Sequence, residues 1–175
     1  RCETVTGVQT CALPISQETA RRAAECCLCD ILAQIAAALR ADAAIAPPGV
    51  EVVTEDDGDI DTEIARVLGA MGLCITVMLV AARSSKPNLP GPVFGEVSYL
   101  VEIVENAVMN RSAGGRTALE EAELAARLLH QLSLADGRRL QVADIVKAPR
   151  LPAPATNGYQ IPLTIPNVSI NRKAE

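Results

Sequence analysis

An α+β fold, one mostly antiparallel sheet with helices packed on it in the order α-β-α-β-β-α-β-β, is predicted by three features of the sequence. Apolar residues recur at helical spacing along residues 17–41, 62–71 and 117–132. They alternate along residues 96–109 and 159–165, the period of a strand with one buried face. Residues 73–82, LCITVMLVAA, are apolar on both faces, which predicts a central strand covered on two sides. No internal repeat is present.

In the first helix Ala24, Leu28, Ile31, Ile35 and Leu39 form one stripe, and Pro47 and Pro48 prevent continuation. A short extended piece at 50–54 follows. The acidic turn EDDGD then leads into the second helix, where Asp59 or Asp61 caps the free amides, Ile64, Val67, Leu68 and Met71 are buried, and Gly72 ends the helix. After the 73–82 strand comes RSSKPNLPGPVF at 83–94. Its three prolines and one glycine are too stiff, and the segment too long, for a tight hairpin, so it is expected to be a protruding arm.

In the strand at 96–109, Val97, Tyr99, Val101 and Ile103 share one face, and Glu96, Ser98 and Glu102 the other. Asn106 marks a bulge where the alternation breaks. Thr117 and Glu120 form a T-x-x-E capping box at the start of the third helix. Its buried stripe is Ala118, Ala122, Ala125, Leu129 and Leu132, widened by Leu124 and Leu128. The acids Glu120, Glu121 and Glu123 suit the positive end of the dipole, and Gly137 ends the helix. Residues 140–147 and 159–165 are the last strands. In the second, Tyr159, Ile161, Leu163 and Ile165 point inward, and Pro162 and Pro166, which cannot donate to a ladder, place it at an edge.

The chain has 175 residues, enough for one domain with a proper core. Residues 4–16, TVTGVQTCALPIS, resemble the in-frame translation of a sequencing-library adapter, a contaminant of metagenomic assemblies. That resemblance implies that 1–16 are not native, that 17–166 form a single α+β domain and that 167–175 are a polar tail. Setting 1–16 aside removes Arg1 and Glu3, so the net charge stays at −5. It also leaves four cysteines of six: Cys26, Cys27, Cys29 and Cys74. Three of them crowd one helix, whereas a disulfide framework spreads its cysteines across loops, so reduced thiols and a cytoplasmic setting are expected.

Aromatic residues make up 2% of the chain, Phe94, Tyr99 and Tyr159, too few for base or sugar stacking. The acidic balance argues against a phosphate-backbone binder. A single histidine, His130, argues against a His-rich metal site or a pair of histidines acting as acid and base. No apolar stretch reaches the eighteen or so residues of a membrane span. Neither nucleic acid nor membrane is therefore an expected partner, and no cofactor is expected.

Four local patterns carry possible chemistry. Cys26–x–x–Cys29 lies in mid-helix, away from the strand-to-helix start where a dipole lowers a thiol pKa, and a zinc site would need further ligands from Cys74 and His130 alone. It reads first as small buried thiols, with a metal or redox role as the alternative. The segment SAGGRT, 112–117, joins a strand to a helix as a phosphate loop would, but has Asn110 and Arg116 where a P-loop needs glycine and lysine. It reads as a connection ending in a helix cap. Its alternative is an anion contact at Gly114, Gly115, Arg116 and Thr117. Asp56, Asp57, Asp59, Asp61 and Glu63 lack the spacing of a calcium loop and read as a solvated turn with a helix cap. His130 has no nucleophile at recognisable spacing, and no residue is assigned a catalytic role.

The loop KPNLPGP at 86–92, the strand VEIVENAVMNR at 101–111, and the turn into TALEEAELAARLLH at 117–130 resemble phage and prophage minor tail proteins. More loosely, the order of elements resembles that of tail-terminator, or tail-completion, proteins. The resemblance covers about 64–165. Family members often carry Gly-Thr-Gly-Lys where this chain has Gly114, Gly115, Arg116 and Thr117. The resemblance implies a structural protein of the virion tail rather than an enzyme, assembled in the bacterial cytoplasm. Its subunits would form a ring, commonly a hexamer, that caps the tail tube and meets tube and head-completion proteins. Pro87, Asn88, Leu89, Pro90 and Phe94 are the residues expected at subunit contacts. The competing reading is a small cytoplasmic module that binds a phosphorylated ligand at the 114–117 turn.

Overall fold

The three helical periods and the strand alternation resolve into an α+β layer fold. The computed structural model describes residues 27–46, 50–84, 93–112 and 115–169. Its elements are α1 (Cys27–Ala41), β1 (Glu51–Thr54), a 3-10 turn (Glu55–Asp57), α2 (Ile60–Ala70), β2 (Leu73–Ser84) and β3 (Val93–Glu105). They continue with α3 (Ala107–Ser112), α4 (Ala118–Gln131), β4 (Gln141–Val142), β5 (Val146–Lys147) and β6 (Asn157–Ser169). The sheet order is β1-β2-β3-β6-β4, with β5 also paired to β6. β1 runs parallel to β2 through the α2 crossover, and the other pairs are antiparallel.

The larger core lies on one face of the sheet. Ile31, Ile35 and Leu39 of α1 and Ala118, Ala122, Ala125 and Leu129 of α4 meet the alternating strand residues Ile75, Val77, Tyr99, Val101, Ile161 and Leu163. Small alanines on α4 let it lie close to the sheet, and Tyr99 gives its hydroxyl proton to the Leu28 carbonyl at 3.0 Å, which satisfies the polar end of a buried ring. A smaller core on the opposite face seats Ile64, Val67 and Leu68 of α2 against Val53, Cys74 and Val104.

That second face is covered over part of its length. β2 is buried from Leu73 to Val77, whereas Met78 and Leu79 are half-buried and Val80 is exposed. Two-sided burial of the apolar 73–82 segment therefore holds for its first half alone, because the eleven-residue α2 covers the β1 end of the sheet.

Several boundaries differ from the sequence reading. The 96–109 strand ends at Glu105, and Asn106 begins α3 rather than bulging. Its side-chain oxygen accepts the Val108 and Met109 amides at 3.3 and 3.5 Å, and its carbonyl accepts the Asn110 amide. The register shifts fall instead between Leu79 and Ala81 and between Arg83 and Ser84. Asp59 occupies the cap position of α2, but its carboxylate accepts the Thr62 hydroxyl at 2.6 Å and caps no amide. Helix α4 stops at Gln131. Gly137, at φ +81°, serves a later turn in which Leu134 N donates to Arg138 O. Residues 140–147 form two short pieces, β4 and β5, rather than one strand.

β6 is not an edge strand, since β3 lies on one side and β4 and β5 on the other. Ala143 N donates to Pro162 O and Ala148 N to Gly158 O, both at 2.9 Å, so the even-numbered residues of β6 turn their backbone groups toward β4 and β5. The missing donor of Pro162 falls on that side, where the partner strand breaks between Val142, opposite Leu163, and Val146, opposite Gln160. The ladder is thus interrupted where proline could not have supplied it. β6 continues to Ser169, into the segment assigned by sequence to the tail.

Candidate functional site

The start of α4 is where the sequence placed a possible anion contact. The Thr117 hydroxyl accepts the Glu120 amide, and the Glu120 carboxylate accepts the Thr117 amide at 2.8 Å, which holds the Glu120 carboxyl below its ordinary pKa. The Ala118 amide is taken from behind by Glu105 Oε2 at 2.7 Å. Two amides that would receive an anion at this helix start therefore already donate to carboxylates of the chain.

Glu105, at the end of β3 and 4% exposed, organises the whole junction. Oε2 also accepts Asn110 Nδ2 at 3.2 Å, and Oε1 accepts Asn157 Nδ2 at 2.9 Å. Its carbonyl accepts the Thr156 amide at 2.7 Å. Asn110 Nδ2 donates in turn to Arg116 O at 2.5 Å, and Gly115 N donates to Asn110 O at 3.0 Å. A side chain at Gly115 would collide with Asn110. The glycine thus permits this close packing, which suits the reading of the turn as a connection ending in a helix cap rather than the alternative anion contact. Gly114 lies outside the described residues.

Arg116 directs Nη1 to the Ala44 carbonyl and lies 3.6 Å from Glu121 Oε2. Glu121 is 1% exposed, its Oε1 has no hydrogen-bond partner, and burial pushes its carboxyl above the ordinary value. Beside it, a cavity of about 250 Å³ is lined by Arg116, Glu120, Glu123, Leu124 and Arg127. Two acids offset two bases there, so it offers no net positive field to a phosphate.

Cys74 is fully buried under α2, and burial pushes its thiol up to about 12. Cys29, half-buried, belongs to α1 on the opposite side of the sheet, so these two thiols do not converge. Among the described residues no group of three His, Cys, Asp or Glu side chains could hold a metal. Within the acidic cluster Asp57 accepts the Thr54 amide at 2.7 Å, Asp59 accepts the Thr62 hydroxyl at 2.6 Å and Glu63 pairs with Arg66; beside it Glu55 accepts the Leu79 amide at 2.8 Å and Glu51 pairs with Arg66. His130 is exposed near the end of α4.

Of the expected contact residues, Pro87, Asn88, Leu89 and Pro90 lie outside the described residues, as does the body of the expected arm. Phe94 is half-buried against the larger core, paired with Ser84 and Val168. A surface that the sequence reading does not single out is the half of the second sheet face that no described element covers. There Met78, Leu100 and Pro162 stand in one cross-strand row, all half-buried, beside the exposed Val80. The signal for it was present in the apolar residues on both faces of β2.

No helix among the described residues is long and apolar enough to cross a membrane. No protein-family model and no curated protein matches the chain.

Proposed function

We propose that this protein is a structural subunit of a phage tail, forming a homo-oligomeric ring that caps the tail tube and joins it to the head. The reading is supported by the resemblance of the strings at 86–92, 101–111 and 117–130 to minor tail proteins. The structural observation that favours it is the Met78–Leu100–Pro162 row, an apolar, uncharged strip on a sheet face that no described element covers. A protein that works by fitting against neighbours needs such a surface.

The phosphate-binding alternative is disfavoured by the Ala118 and Thr117 amides, which already donate to Glu105 and Glu120. Native mass spectrometry and negative-stain electron microscopy of the full chain test the proposal. Annular particles with several times the monomer mass are expected. A monomer stabilised against heat by inorganic phosphate or nucleotide would overturn it in favour of the alternative.

A further inference from the structure

We propose that copies of this chain join head to tail, with the acidic β1 edge of one sheet against the basic β4–β5 edge of the next. This rests on the ring reading and names the surfaces that a ring would use.

Charge is segregated along the chain, and the topology carries the two signs to opposite sides of the sheet. Residues 51–66, which hold β1, the 3-10 turn and the first turns of α2, contain seven acids and one base. Residues 138–150, which hold β4 and β5, contain four bases and one acid. In the order β1-β2-β3-β6-β4, with β5 on the same side of β6 as β4, these segments are the two outer edges.

The register also sets them level. Lys147 lies opposite Tyr159, and that row runs through Ile103 and Ile75 to Val52 of β1. Val142 lies opposite Leu163, and its row runs through Tyr99 to Leu79, whose amide donates to Glu55 of the acidic turn. β5 is therefore level with β1, and β4 with the turn that follows β1.

Internal pairing uses only part of this charge. Arg66 takes Glu51 and Glu63, Arg40 lies 3.5 Å from Asp57, and Asp136 takes Arg138. Among the described residues no ion pair engages Asp56, Asp59 or Asp61 on one edge, or Arg139, Lys147 or Arg150 on the other, and all six are exposed. Four strand spacings, about 19 Å, separate the edges, so one copy cannot bring its own two together.

A two-fold contact of either edge with itself would set like charges face to face, in a chain whose net charge is already −5. Acid on base is the arrangement that attracts. It is heterologous: each copy uses both edges, and the series closes into a ring when the rotation between copies permits. Side chains make this contact rather than an added strand, because Arg40 and Asp57 already occupy backbone groups of β1.

Light scattering on the full chain, after size exclusion, tests this with reversed edges. One variant carries Arg139→Glu and Lys147→Glu, the other Asp56→Lys and Asp61→Lys. Arg150→Glu or Asp59→Lys replaces any substitution that prevents folding by circular dichroism. Wild type is expected to be oligomeric in dilute buffer and to fall toward the monomer mass in about 1 M sodium chloride, where the screening length is about 3 Å. Each variant alone is expected to be a monomer. Their equimolar mixture is expected to regain oligomers, because every reversed edge then meets its opposite. An oligomeric wild type whose mass neither variant lowers overturns this contact and leaves the ring reading standing. So does a wild-type mass indifferent to salt, or a mixture that stays monomeric. A wild type that is monomeric in dilute buffer overturns both.

Discussion

Glu105 Oε2 accepts the backbone amide of Ala118 at 2.7 Å, so the last residue of β3 caps a helix that starts thirteen residues later. The same carboxylate holds Asn110 and Asn157, and the side chain is almost wholly buried. Removing it leaves the buried Ala118 amide without an acceptor and takes one hydrogen-bond partner each from Asn110 and Asn157. Glu105→Ala is therefore expected to cost about 3 kcal/mol, read as a lowered urea midpoint. Glu105→Gln, whose carbonyl still accepts, should lose less. An alanine variant with the wild-type midpoint would show that the junction is held by packing alone.

Glu121 gives a pH dependence of a definite sign. The groups facing it are Arg116, which favours the carboxylate, and Asp42 and Glu120, which oppose it, but burial is the largest influence and raises the pKa. The folded chain thus holds this proton more tightly than the unfolded one. Ionised Glu121 costs stability above its folded pKa, and the cost fades as pH falls toward the ordinary carboxylate range. Glu121→Gln should be more stable than wild type at pH 7.5, by on the order of 1 kcal/mol, with the gap narrowing on acidification. Urea midpoints across that range provide the check, and a gap that widens at low pH contradicts the assignment.

Much of the scaffold was legible from periodicity. The Thr117–Glu120 box, the alanine stripe of α4 and the alternation from Val97 to Ile103 each rest on local spacing, and each is present as read. What escaped depends on partners distant in sequence. Pro162 looked like an edge residue because the break in the strand beside it is set by residues 143–145. Glu121 looked like a dipole acid, although its place three residues after Ala118 and four before Ala125 puts it on the buried face. The strip was implied by an apolar segment longer than α2 could cover. The expected contacts at Pro87–Pro90 fall outside the described residues, so nothing in the fold bears on them.

Two glycines with nearly equal φ should respond differently to alanine. Gly72 has φ +80°, and an added Cβ would come within 2.8 Å of Asn110 Cα and Met109 C, backbone atoms that cannot step aside. Gly137 has φ +81° with nothing within 4 Å. Gly137→Ala is expected to cost about 1 kcal/mol, the conformational penalty alone. Gly72→Ala adds a collision with α3 and should exceed 3 kcal/mol or so. Thermal melts of both variants separate the two contributions. Equal losses would mean that α3 yields without cost.

The β1 edge carries its own protection. Arg40 Nη2 donates to Val52 O at 2.6 Å, and Asp57, 3.5 Å from the same guanidinium, accepts the Thr54 amide. Two backbone groups of a four-residue strand paired on one side are thereby occupied by side chains rather than offered to another chain. Arg40→Ala leaves Val52 O to water and frees Asp57 of its cation, a loss of about 1 kcal/mol, because both partners are half-exposed. The larger expected effect is on association. With the edge open, light scattering at rising concentration should show non-specific growth that wild type lacks. An Arg40→Ala protein that stays as well behaved as wild type would mean that the short length of β1, rather than the arginine, keeps this edge from pairing.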